Sequence, residues 1–318
     1  MRCRSHNPPA LTPAPSVLRD NTLVAQELHA VLNIAIAVTF TLALSAANAG
    51  GDYRQQVERW REQHQKDLTA DDGWLTVAGL DWLKDGENRV GADPASEVPL
   101  SPNSAPQHVA TIFFHAGQVV LHPAPGVPLT LNGKQASQTT LREDTDILAI
   151  NRLKFFLIRR GDRVGIRLKD NDSPERKRFT GLTWYPIDPS WRIRARFTAW
   201  DSPHTISFTN TIGQQETEQS PGYVTFTRNG REYRLEPMLD DGKLFFVFRD
   251  HTSGKTTYGA SRFLYADPAK DGFVSLDFNQ AENPPCAFTA YATCPLPSPQ
   301  NRLDLAVEAG EKKYSGGH

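Results

Sequence analysis

Between Phe248 and Lys312 the chain gathers arginine, carboxylate and amide side chains: Arg249, Asp250, Tyr258, Arg262, Asp277, Asn279, Asn301, Glu308 and Glu311. Each falls at an expected strand end or in a loop beside one, where a rigid β scaffold presents functional groups. Three chemistries suit such a set. Arg249 and Arg262 supply planar two-toothed forks for a small anion or sugar. Asp277 and Glu308 supply the two carboxylates that metal-independent hydrolysis needs, one poised as acid and one as base. The groups can also satisfy one another and pin the long Asn279–Asn301 loop, which makes the protein a structural, partner-binding module. The first is preferred, with Arg249, Tyr258, Arg262, Asp277 and Asn279 lining a site for a small polar or anionic ligand. Asp277 and Asn279, two apart, share one strand face.

Other motifs are excluded by what they lack. Ser253-Gly254-Lys255-Thr256-Thr257 resembles the end of a phosphate loop, but Arg249 stands where the earlier glycine is required. A connection with Asp250 and Ser253 bonded to the backbone is expected instead. Neither Gly-x-Ser-x-Gly nor His-Glu-x-x-His occurs, so neither an elbow hydrolase nor a zincin is indicated. His108, His115 and His122 recur every seven residues, which in a turn-rich β chain is no ligand spacing, and neither a metal nor a cofactor is expected. Cys286 and Cys294 lie in a proline-rich stretch, and in an oxidising compartment they are expected to form a disulfide.

The elements that must position these groups change character along the chain. Tyr53, Val57, Trp60, His64 and Leu68 recur at i, i+4, i+7, i+11 and i+15 among charged residues, the pattern of one amphipathic helix over 50–70. Beyond it the apolar period becomes two. The strand runs are punctuated by turns such as Asn132-Gly133, Asn229-Gly230, Asp241-Gly242 and Asp271-Gly272, whose first residue tolerates and whose second favours positive φ. The expectation is an all-β protein: a β-sandwich over 71–170, a linker over 171–190 around Ser173-Pro174, and a second antiparallel sandwich or barrel over 191–314, ending in a strand at Leu305–Ala309.

At the amino end, Leu32–Leu44 is almost uninterrupted and apolar, too short to span a bilayer, and Ala47-Asn48-Ala49 follows in the pattern a signal peptidase reads. Residues 1–49 are therefore expected to be a signal peptide, with the mature chain starting at Gly50 in an extracytoplasmic compartment and without an integral membrane segment. A formal net charge of −1 provides no field to hold a polyphosphate backbone, so no nucleic acid partner is expected.

Several carboxy-terminal segments, in order, carry a family resemblance: Phe248 to Gly259, Arg262-Phe263-Leu264, Leu276-Asp277-Phe278-Asn279, Asn283-Pro284-Pro285-Cys286-Ala287-Phe288, Cys294-Pro295-Leu296-Pro297, Asn301-Arg302-Leu303 and Glu308 to Lys312. Over about Tyr53 to Tyr314 the chain resembles the exported family catalogued as domain of unknown function 1684 (DUF1684). That resemblance implies an extracytoplasmic β protein and carries over no catalytic residue. The first domain separately resembles a forkhead-associated (FHA) sandwich through Gly91-Ala92-Asp93-Pro94, Val98-Pro99-Leu100, Ser104 to His108 and Leu131-Asn132-Gly133. Members that bind phosphothreonine have an arginine after that first glycine and two residues between the serine and histidine. Here Ala92 follows Gly91 and three residues separate Ser104 from His108, so the sandwich is expected to serve as a scaffold.

Overall fold

A computed structural model describes residues 51–143 and 145–316. The apolar run and the expected cut after Ala49 lie outside the described residues. Residues 53–69 are helical, and the expected stripe faces inward: Tyr53, Val57 and Leu68 are buried, with Trp60 and His64 partly so. The rest is predominantly β, in several mainly antiparallel sheets.

Two sheets build the first half. Six strands run in the order Val77–Trp82, Arg163–Asp170, Leu153–Arg160, Ile147–Ile150, Thr130–Leu131 and Lys134–Gln135. Five more run Val98–Pro99, Gly86–Gly91, Ala110–His115, Gln118–Pro123 and Thr139–Thr140. Alternating inward residues of both sheets, among them Ile112, Leu121, Leu148, Phe155 and Ile166, share one core, the layered arrangement of a sandwich. The turns follow their chemistry. Asn132 and Gly133 take φ 50° and 78°, and Asp241 and Gly242 take 45° and 76°, the doubly positive pair that matches strand twist in a two-residue hairpin.

Ser173 caps the short helix Pro174–Arg178 by accepting from the Arg176 amide, within the segment expected as a linker. The second half holds a four-stranded sheet, Arg231–Leu235, Gln215–Arg228, Arg192–Thr209 and Phe273–Asp277, and a three-stranded sheet, Met238–Asp240, Lys243–Phe248 and Arg262–Ala266. No barrel closes. Phe226, Phe246, Phe248, Leu276 and Phe278 form its main core. The two halves meet through side chains, including Arg160 Nε donating to Thr293 Oγ1 at 2.8 Å and Thr289 Oγ1 donating to the Val77 carbonyl at 3.0 Å.

Three expected strands come out differently. Trp191–Phe197 and Thr205–Thr209 are one long strand, continuous through an irregularity between Ala199 and His204. Leu305–Ala309 joins no sheet: the Leu305 carbonyl accepts from the His251 amide at 2.9 Å, and side chains take the backbone beyond it. The Val307 amide donates to Asp250 Oδ2 at 2.8 Å, and Arg262 donates to the carbonyls of Val307 and Ala309.

Candidate functional site

The five residues expected to line one ligand site belong to separate assemblies. Arg262 is fully buried and ion-paired to Asp250 at 3.1 Å, so its fork is closed to solvent. Arg249 is exposed, and its backbone accepts from the Leu303 amide and donates to the Asn301 carbonyl. Tyr258 donates to the Cys286 carbonyl at 3.0 Å beside an apolar cluster that includes Phe288 and Tyr314. Only Asp277 and Asn279 come together. Tyr53 of the helix donates to Asp277 Oδ1 at 2.8 Å, while buried Asn279 donates to Tyr53 Oη at 2.9 Å and accepts from the Asp188 amide at 2.9 Å. That assembly ties the helix to the second half. Burial and the Asp277 carboxylate together raise the Tyr53 phenol above its ordinary range. Glu308, the other half of the expected carboxylate pair, is exposed.

A different constellation forms where the helix meets the 281–283 and 310–312 segments. His64 Nδ1 lies 3.1 Å from Glu282 Oε2, and Nε2 lies 3.4 Å from Glu311 Oε2. Glu311 is 1% exposed and accepts from the Asn283 amide at 2.9 Å and from Asn283 Nδ2 at 2.6 Å. The close approach depends on Gly310, at φ 80°: a Cβ there would sit 2.4 Å from the Ala281 carbonyl oxygen, the atom to which the Glu311 amide donates at 2.7 Å. Glu282 is fixed by reciprocal backbone bonds with Phe263, both 2.9 Å. Trp60 stacks on the His64 ring at 5.3 Å, and Trp184 meets its edge at 5.9 Å.

Burial works against charge on His64, but hydrogen bonds to Glu282 and Glu311 outweigh it and raise its pKa to about 10. With Glu282 against one ring nitrogen and Glu311 3.4 Å from the other, the surroundings favour the protonated ring. Burial pushes the Glu311 carboxyl upward. Both ring nitrogens face carboxylates, and among the described residues no group of three His, Cys, Asp or Glu side chains is arranged to hold a metal ion.

Glu282, His64 and Asn283 form part of the wall of a hollow of about 480 Å³. Its floor is aromatic: Phe245 stacks on Tyr265 at 4.6 Å and meets Phe263 edge-on at 4.8 Å. Tyr265 donates to Asp240 Oδ2 at 3.2 Å, and burial with that carboxylate raises its phenol. Asn283, 3% exposed, has both donors engaged but leaves Oδ1 without a hydrogen-bond partner. A second hollow of about 530 Å³ shares Asp240, Tyr265 and Glu282 with the first, so the two form one groove. In the sequence, His64 reads only as one position of an apolar helical stripe. Nothing local pairs it with Glu282, more than 200 positions away.

The disulfide expected between Cys286 and Cys294 is corrected: both are free thiols. They are neighbours, and the Cys286 amide donates to Cys294 Sγ at 3.2 Å, so the buried sulfur is held as a hydrogen-bond acceptor. Donation from the Cys294 thiol lowers the Cys286 pKa, while that bond and burial raise Cys294.

Residues 177–312 match the family model described as "Protein of unknown function (DUF1684)". The chain is 33% identical to the uncharacterized protein from gene locus rrnAC0354 of Haloarcula marismortui, known from a solution NMR structure; the match covers 44% of this chain and 80% of that one, with a TM-score of 0.37. Structural neighbours include FHA domains at 14% identity. One comes from a study of phosphothreonine-dependent FHA domain interactions, covering 28% of this chain and 92% of that one at a TM-score of 0.21. Another is the FhaA FHA domain in complex with the intracellular domain of Rv3910, covering 28% and 97% at 0.22. No curated protein matches. On the carboxy-terminal signature that fills most of its second half, the chain belongs to the DUF1684 family, whose function is unknown.

Proposed function

We propose that this is an exported protein that binds a small polar ligand, rich in hydroxyl or amine donors, in the groove between the helix and the second half. The observation that carries the proposal is the hollow of about 480 Å³ itself, in which an aromatic floor lies beside the carboxylates of Glu282 and Asp240. An aromatic floor takes the apolar face of a sugar-like molecule, and Glu282 and Asp240 accept from its hydroxyls or amines. Of the arginines expected to hold an anion, Arg262 is sealed inside and Arg249 is bonded through its backbone to Asn301 and Leu303, while Arg160, Arg192 and Lys243 line the groove instead. Export is supported by Leu32–Leu44 and Ala47-Asn48-Ala49, with Gly50 as the first mature residue.

The test is native mass spectrometry of protein purified from its own host, paired with a thermal-shift screen of monosaccharides, amino sugars, polyols, amino acids and carboxylates. Hydroxyl- or amine-bearing compounds should raise the melting temperature, and Tyr265→Ala should abolish that shift while the free protein still melts cooperatively. Stabilisation by carboxylates alone would make the ligand anionic, and stabilisation by no compound together with no copurified mass would leave a structural, partner-binding role in its place.

A further inference from the structure

The outward face of the four-stranded sheet carries arginines that have no acidic partners. Along Arg192–Thr209 the inward residue Ala195 is buried, whereas Arg194 and Arg196 on either side of it are exposed. Register places Phe273, Arg196, Thr225 and Arg234 in one row across the sheet, with Arg194 beside Ser275. Among the described residues, Arg194, Arg196 and Arg234 have no carboxylate within 4.0 Å, although eight other arginines do. Instead they lie against rings. Arg194 sits over Phe273, Arg196 lies 5.7 Å from the same ring, and Arg234 is 3.8 Å from Tyr223 and 5.1 Å from Trp200. Glu232 is the acid on this face without a bonded partner, since Asp277 is held by Tyr53 and Asn279.

We infer that this face docks on an anionic phospholipid surface. Two observations select a bilayer over a nucleic acid or another polyanion. The patch is local, on a chain of net charge −1, which gives no extended field to track a polymer backbone. Its aromatic faces are already covered by guanidinium groups and so are not free to stack bases. Half-exposed Trp200 and Tyr223 lie beneath Arg234 and support its guanidinium at the surface. A guanidinium stacked on a ring keeps its in-plane N–H donors for phosphate oxygens. Among the described residues no helix is long and apolar enough to cross a membrane, so the contact is peripheral.

The experiment is cosedimentation of the chain starting at Gly50, which carries every core residue described above, with vesicles of phosphatidylcholine alone or mixed with phosphatidylglycerol. Binding should appear with the anionic vesicles and weaken as salt is raised. Arg194→Gln, Arg196→Gln and Arg234→Gln should each weaken it roughly fivefold, and Lys134→Gln in the other half should leave it unchanged. Melting curves identify any variant that fails to fold, and the remaining single variants then decide. Equal binding to neutral vesicles, equal loss in Lys134→Gln, or retention of single-stranded DNA or heparin without vesicle binding would overturn the inference.

Discussion

Arg262 and Asp250 form an ion pair with no exposure on either side chain, 3.1 Å apart, and between them they hold the carboxy-terminal segment. Asp250 Oδ2 accepts from the Val307 amide, and the guanidinium donates to the carbonyls of Val307 and Ala309. Removing one partner strands the other charge in the core, at about 3–5 kcal/mol. Arg262→Ala should therefore unfold in markedly less urea than the parent, with Asp250→Asn close behind. Equilibrium denaturation reads both. A variant with parental stability would show that the pair does not organise this segment.

His64 gives stability a pH dependence. Its pKa is raised from the ordinary 6.5 to about 10 in the folded protein, so the folded state holds the extra proton. The contribution is complete below about pH 6.5 and is lost as pH rises through about 10. The urea midpoint should fall across that interval in the parent and fall less steeply in His64→Gln. Parallel profiles would remove the Glu282–His64–Glu311 clamp as a stabilising element.

Asp81 behaves in the opposite sense. Burial raises its carboxyl to about 6, so at neutral pH the folded state carries a charge that its surroundings disfavour. Stability should increase as pH falls from about 6 toward 4, because the folded protein binds the proton first. Asp81→Asn should raise the melting temperature at pH 7, with the gain vanishing below about pH 4. Calorimetry at the two pH values checks this.

Alkylation distinguishes the two thiols. Cys286 is partly exposed with a lowered pKa, and Cys294 is buried with a raised one. Iodoacetamide should modify Cys286 first in the folded protein and both cysteines after denaturation without reductant, as read by peptide mapping. Protection of both until a reductant is added would establish a disulfide.

The helical stripe of Tyr53, Val57 and Leu68, the β character beyond it and the hairpins at Asn132-Gly133 and Asp241-Gly242 were legible because each rests on neighbours in the chain: a repeat of side chains or a turn dipeptide with positive φ. Leu305–Ala309 has the alternation of a strand, yet two distant side chains, Arg262 and Asp250, claim its backbone. By itself the sequence determined the kinds of element and where they turn, since propensity and periodicity act over a few residues. Only the tertiary structure decided which polar groups meet: it sealed Arg262 inside, brought His64 to Glu282 and Glu311, and left Asn283 Oδ1 unpaired, because burial and long-range contact set the energy of a charged or amide group.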